Sequence, residues 1–306
     1  MFDIFETVHE EMQAQEHMDR RAQPYRPDSS SGLFVVSIGG SLIADDAGPN
    51  AEKIRAIADM ISSLHSSGKR FVLVVGGGRA ARNYVEAMRS FSQNNFGLDL
   101  LGIHITRANA MLVANAVPSA HREVLTDITR ASAVLDSGKI PVFGGIMPFF
   151  TTDSVGALLA EHLGAVFVNL TNVDGIYDSN PADNAGAKRF EEIGYGQLVS
   201  LIVAAGSVPG QNVVLDLACC LILQRSRIPA VVLNGNDMQN FSNYINGSAF
   251  TGTVIRDIGA VSAPETSEPG DDAASAQPRA VKKRKKRKGQ RGHDDYERPN
   301  PYHIDF

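Results

Sequence analysis

Three apolar runs rich in strand-forming residues each end in bare glycine. Residues 33–38 lead into Gly39-Gly40-Ser41, residues 71–75 into Gly76-Gly77-Gly78, and residues 140–143 into Gly144-Gly145. A fourth run, 165–170, ends in Thr171-Asn172-Val173-Asp174-Gly175. Glycine at the carboxyl end of a parallel strand lets backbone N–H groups approach a ligand, because no Cβ stands in the way. Several such loops on one chain predict a site lined by main-chain donors, which suits phosphate. Arg82 follows the triple glycine at the start of the next helix, where a guanidinium can meet the phosphates the loop holds. Thr151-Thr152-Asp153-Ser154 precedes an apolar helical run. It reads as an N-cap cluster and also as an anion site, since a helix N-terminus offers free N–H groups and a positive dipole end. Pro148-Phe149-Phe150 fits either an apolar wall for a nucleobase or core. Tyr177 can flank a base, while Asp174-Gly175 alone reads as an ordinary turn.

Other chemistries find less support. Gly76-Gly77-Gly78-Arg79-Ala80-Ala81 matches G-x-G-x-x-A, and Asp99 lies 21 residues beyond the last glycine. In a dinucleotide fingerprint that acid should end the next strand. Asp99 instead sits in the 94–99 segment, after one helical run and before another. A Walker A loop is absent: Gly68-Lys69 and Gly138-Lys139 lack both the earlier glycine and the hydroxyl residue. The eight histidines are scattered, with no Ser/His/Asp set and no metal-ligand spacing, and His104 and His162 read as structural. A phosphate acceptor is already ionised near neutral pH, so transfer to it needs alignment and charge neutralisation rather than a general base.

The elements that must position these loops alternate along the chain. Strand 33–38 is followed by a helix over 52–65, strand 71–75 by a helix over 80–91. Helical stretches at 105–116 and 126–137 precede strand 140–143. A helix at 154–163 precedes strand 165–170, and helix 215–225 precedes strand 230–233. Continuous apolar strands alternating with helices predict a mostly parallel sheet covered on both faces. Ligands in such folds bind beyond the carboxyl ends of the strands, where the glycines lie.

The chain has 306 residues, 43% of them hydrophobic, and a net charge of -5. Residues 1–260 carry 19 basic and 26 acidic side chains, whereas 261–306 carry 10 and 8, with seven consecutive basics from Lys282 to Lys288. Residues 1–32 read as an N-terminal arm: Met1, Phe5, Val8 and Met12 form a narrow apolar stripe, then Pro24, Pro27 and Ser29-Ser30-Ser31 a linker. That arm suits either a helix docked on its own body or a contact with a neighbouring subunit. Residues 257–306 lose all periodicity and read as a disordered tail. Its basic run suits nucleic acid through phosphate charge or serves as a solubilising tail. Cys219 and Cys220 are the only cysteines, and sequence neighbours are poorly placed to bridge. This argues for a reducing, cytoplasmic setting. No apolar run reaches about 18 residues, so no membrane span is expected, and the acidic N-terminus argues against a secretory signal.

Five segments, in order, resemble UMP kinases of the amino acid kinase superfamily, most closely the archaeal type. They are Val35-Val36-Ser37-Ile38-Gly39-Gly40-Ser41, the run from Val75 to Arg82, the run from Gly102 to Ala110, Pro148-Phe149-Phe150-Thr151-Thr152-Asp153, and the run from Thr171 to Tyr177. The resemblance covers residues 33–256. It implies a three-layer αβα sandwich assembled as a homohexamer, and transfer of the ATP γ-phosphoryl group to UMP with Mg²⁺, giving UDP for pyrimidine nucleotide biosynthesis. By position it assigns Gly40, Ser41, Gly78 and Arg82 to the ATP phosphates, and Thr171, Tyr177 and Asn180 to adenosine. It assigns Gly77, Asp99 and the run Gly145, Ile146, Met147, Pro148, Phe149, Phe150, Thr151 and Thr152 to UMP, with Asp99 accepting from the ribose hydroxyls. Arg82 is then the candidate catalytic charge, with the metal carried by the nucleotide. The chain departs from the family at Ser37, where many members have lysine, at Asn180, where aspartate is usual, and over 206–211. Val214-Leu215-Asp216-Leu217 with Val232-Leu233-Asn234-Gly235 also resembles the molybdenum storage proteins of the same fold, the non-catalytic alternative.

Overall fold

The structure is a computed structural model that describes residues 32–45, 48–181, 183–184, 186–206 and 214–258. The N-terminal arm, the basic run Lys282–Lys288 and most of the departing 206–211 loop lie outside the described residues. Leu33–Ile38 (β1) pairs in parallel with Arg70–Val75 (β4) on one side and Val166–Thr171 (β7) on the other. Beyond β4 come Ile140–Phe143 (β6) and Ala120–Leu125 (β5), and beyond β7 comes Ala230–Asn234 (β9), all parallel. Thr253–Ile255 (β10) runs antiparallel to β9 and pairs with Glu192–Ile193 (β8), which closes an eight-stranded sheet. A small hairpin, Ala44–Asp45 (β2) with Gly48–Pro49 (β3), stands apart.

Alternation along the strands divides the core in two. Val35, Val72, Val74, Phe143 and Phe167 face one layer, built from Ala131–Asp136 (α4), Thr152–Leu163 (α5), Tyr195–Gly206 (α6) and Leu217–Ser226 (α7). Phe34, Val36, Ile38, Leu73 and Val168 face the other, built from Ala51–Ser66 (α1), Asn95–Ala116 (α3) and Met238–Ile245 (α8). Gly78–Arg89 (α2) packs on α3. Burial on both faces is why the central strands are continuously apolar. The result is the expected three-layer αβα sandwich.

The structure corrects several boundaries. The helix expected over 105–116 begins ten residues earlier, at Asn95, because the Asn94 side chain caps it by accepting from the Gly97 N–H. Asp99 therefore lies on a helix and not between two helices. The stretch 126–137 is a short 3₁₀ turn, Ile128–Arg130, followed by the six-residue α4. Helices α6 and α8 and strands β5, β8 and β10 lacked a sequence expectation. Strand β5 is a sheet edge whose central His121-Arg122-Glu123 meets solvent, so it carries no apolar run.

Candidate nucleotide site

The parallel strands β1, β4, β6 and β7 all deliver their glycine loops to one edge of the sheet. The first two loops touch. A methyl group on Gly40 would stand 2.0 Å from the Gly78 nitrogen, and one on Gly78, at φ +62°, would stand 2.7 Å from the Gly40 carbonyl carbon. Neither position tolerates a side chain. Gly76 lies against the Gly40 nitrogen and the Thr152 hydroxyl, at 3.0 and 3.5 Å from where its own Cβ would be. The triple glycine thus borders the α5 N-terminus and does not turn away from it. Neither Gly39, before the 3₁₀ turn Gly40–Leu42, nor Gly77, before α2, supplies a side-chain cap. A turn that starts on glycine has no side-chain acceptor for its first N–H groups, the arrangement in which an anion can take that place.

A polar run on the otherwise apolar α3 fixes two loops. The Asn109 amide, buried, donates to the Gly76 and Gly77 carbonyls at 2.9 and 3.2 Å. The Thr106 hydroxyl accepts from the Gly145 N–H at 2.7 Å and donates to the Ile103 carbonyl. Arg107 donates from Nε to the Gly145 carbonyl and from its terminal nitrogen to the Ile146 carbonyl, at 2.9 and 3.2 Å. Ten residues earlier, Asp99 Oδ2 accepts from the Phe149 N–H at 2.8 Å, while its Oδ1 is buried without a partner. Burial pushes the Asp99 carboxyl above its ordinary range, against the lowering effect of the Phe149 N–H.

Beneath the loops, Asp153 Oδ1 accepts from the Ser37 hydroxyl at 2.6 Å and from the Asn169 amide at 2.8 Å. Burial, aided by the neighbouring Asp216 charge, pushes Asp153 up to about 7, against the lowering effect of those two donors. The Thr151 side chain caps α5 and donates to Asp216 Oδ2; Ser154 donates to Asp216 Oδ1 at 2.7 Å. Asp216 in turn caps α7 through the Cys219 N–H. Burial raises the Cys219 and Cys220 thiols, which keeps them protonated and poor nucleophiles.

The structure brings Gly40, Gly77, Gly78, Gly145, Thr151 and Thr152 to one place. Ser41 and Arg82 are exposed beside them, and the Arg82 guanidinium makes no hydrogen bond or ion pair among the described residues. Met147 and Phe149 are exposed on the loop between β6 and α5, with Ile146, Pro148 and Phe150 half-buried. Thr171 closes β7 and accepts the Gly235 N–H at 2.7 Å. Tyr177 and Asn180 lie farther along that segment. Tyr177 bridges to Arg189, and the Asn180 amide donates to Asp183. Sequence reasoning gave no role to Thr106, Arg107, Asn109 and Asp216. The available signal was a Thr-Arg-x-Asn run inside an apolar helix. The sequence reads Asp153 only within the Thr151–Ser154 cluster, as an N-cap and anion site, with no role of its own.

Comparison with known proteins agrees with this geometry. Residues 32–234 match the model of the amino acid kinase family. The uridylate kinase of Methanospirillum hungatei is 38% identical over 225 residues, 72% of this chain and 94% of the relative. That of Thermococcus gammatolerans is 40% identical over 224 residues, 72% and 98% of the two chains. The crystal structure of uridylate kinase from Archaeoglobus fulgidus superposes with a TM-score of 0.64 at 38% identity, covering 72% of this chain and 99% of that one. UMP kinase from Bacillus anthracis shares the fold at a TM-score of 0.63 and 22% identity. The glycine-loop edge, the capped α5 and these matches together place the chain in the amino acid kinase family.

Proposed function

We propose that the chain is a UMP kinase that moves the γ-phosphoryl group of ATP to UMP, giving UDP for pyrimidine nucleotide synthesis. The observation that carries this is the contact between the Gly40 and Gly78 backbones beside the α5 N-terminus, in a chain whose uridylate kinase relatives are 38–40% identical over nearly their whole length. Two phosphate-holding turns and a helix N-terminus in one place can seat two anions close together. Gly40, Ser41, Gly78 and Arg82 would hold the ATP phosphates, with Thr171, Tyr177 and Asn180 toward adenosine. Gly77, Asp99 and residues 145–152 would hold UMP. Arg82 is the exposed cation at hand to offset charge that builds on the transferred group. Ser37 cannot do so: it is buried and spent on Asp153.

Among the described residues no three His, Cys, Asp or Glu side chains gather as a metal cage. The Mg²⁺ ion of the proposed reaction would be held chiefly by the nucleotide's own phosphates and water, as Mg²⁺ prefers. When bound, such an ion neutralises charge on the phosphates. The chain's own part is to hold the anions on main-chain N–H groups, keep Asp153 and Asp216 occupied by internal donors, and fix the loops through α3.

The reading extends to a cytoplasmic homohexamer, supported by the free cysteines and by the exposed apolar side chains Phe96, Leu100, Met111 and Leu112 of α3. The basic run Lys282–Lys288 is the candidate contact for nucleic acid. No described helix is long and apolar enough to cross a membrane. A coupled assay with ATP, Mg²⁺ and a panel of nucleoside monophosphates tests the activity. UMP-dependent ADP formation is expected, and its absence would remove the claim. Bound molybdenum in the purified protein would instead favour the storage-protein alternative.

A further inference from the structure

The paired helices α6 and α7 turn an uncharged face outward. From Gly194 to Gln224 the only Asp, Glu, Lys or Arg is Asp216, and its carboxylate is taken by Thr151, Ser154 and the Cys219 N–H. Gly196, Ser200 and Ala204 are exposed on α6 at i, i+4 and i+8. A surface helix carries charged or polar residues on its solvent side, and one that is apolar all round is normally covered.

The two helices run antiparallel. The Tyr195 hydroxyl donates to the Ile228 carbonyl at 2.9 Å, and Gly196 lies against the Gln224 side chain, 4.0 Å from where a Cβ would stand. Equal steps along the pair, from 196 to 203 on α6 and from 224 back to 217 on α7, bring Val203 opposite Leu217, because the rise per residue is the same. Leu221 stands one turn from Leu217 on the same side of α7. Val203, Leu217 and Leu221 are 52%, 41% and 46% exposed. Three aliphatic side chains thus flank a row of small residues, a shallow groove that another helix can approach closely.

We propose that this groove seats residues 1–12 of the same chain. Those residues lie outside the described ones, and their sequence sets Met1, Phe5, Val8 and Met12 at i, i+4, i+7 and i+11, the anchors an amphipathic helix lays into an apolar groove. Asp3, Glu6 and Glu10 fall on the opposite side of such a helix, toward solvent. The segment joins the body at Leu33, whose side chain packs in the same core layer as Leu198, Ile202 and Cys220 of α6 and α7. Residues 13–31 can span about 60 Å when extended, more than the length of either helix. An arm seated beside Leu217 would brace, from outside, the Asp216 carboxylate that holds Thr151 at the start of α5.

Thiol labelling of the full chain tests the proposal. Leu221→Cys places a reactive group in the groove, while Cys219 and Cys220 are buried and the wild-type chain gives the background. A maleimide should label that thiol about tenfold more slowly than in the same chain carrying Phe5→Glu and Val8→Glu, as for a groove closed nine-tenths of the time. A second variant needs no disruption of the arm. Phe5→Cys with Leu221→Cys should form a disulfide within one chain under oxidised glutathione, and Phe5→Cys with Leu112→Cys on α3 should not. Equal labelling with and without the two glutamates would overturn the proposal. So would protection that survives them and vanishes on dilution, which would give the face to a second copy. Disulfides formed chiefly between chains, or equally with Leu112→Cys, would overturn it as well.

Discussion

Two side chains at the sheet edge carry opposite demands on charge. Arg82 is exposed and unpaired among the described residues, so the fold gains little from it. Arg82→Ala should therefore lower kcat by roughly 10²-fold, as for loss of one charge-stabilising group, while the melting temperature stays within a degree or two. An equally active variant would show that the catalytic charge lies elsewhere. Asp153 is the reverse case, a carboxyl shut in by Ser37, Asn169 and Asp216. Its ordinary value of 3.8 rises to about 7 on folding. Between those values the native state keeps a proton that the unfolded chain releases, so stability is greatest below pH 4 from this group and falls as pH climbs to 7. The loss is on the order of 2–4 kcal/mol at one pKa unit per about 1.4 kcal/mol. Asp153→Asn should flatten that part of the urea-denaturation profile and be relatively more stable at pH 8 than at pH 5. An identical pH slope in the variant would mean that Asp153 does not hold the proton.

At the scale of elements, α3 acts as a ruler laid across the loops. One helix holds the triple glycine through Asn109, the glycine pair through Thr106 and Arg107, and the Phe149 turn through Asp99. A helix rises 1.5 Å per residue and keeps its side chains in register, so the glycine loops are spaced by a rigid element rather than by the loops themselves. Asn109→Ala would strand the Gly76 and Gly77 carbonyls. The expected cost is about 2–3 kcal/mol of unfolding free energy, with a raised KM for ATP and a smaller effect on UMP. A variant with normal stability and normal KM would show that the glycine turn keeps its shape unaided. The helix was only half legible. The Asn94-Asn95-Phe96-Gly97 stretch looks like a turn because asparagine and glycine break helices, yet here Asn94 caps one.

Across the whole molecule, α3 leaves Phe96, Leu100, Met111 and Leu112 bare, from 39% to 61% exposed, and Phe91, in the turn between α2 and α3, is 88% exposed. Exposed apolar side chains at both ends of one helix are the kind of surface a second copy would cover. Light scattering should give the mass of a multimer, and Met111→Lys with Leu112→Glu should reduce it. An unreduced mass would detach α3 from the assembly. The sequence by itself determined the parallel core, the carboxyl-edge glycines and the phosphate chemistry, because continuous apolar runs and missing Cβ atoms are local properties written residue by residue. It did not determine the edge strands β5 and β8, nor β10 between β9 and β8, whose pairing depends on which neighbour the sheet offers. Nor did it reveal that Gly40 meets Gly78, that Asn109 holds Gly76, or that Asp153 is confined between Ser37 and Asn169. These partners lie 16 to 116 residues apart in sequence, and only the packing of α3 and α5 against the strands sets the distances that give them their chemistry.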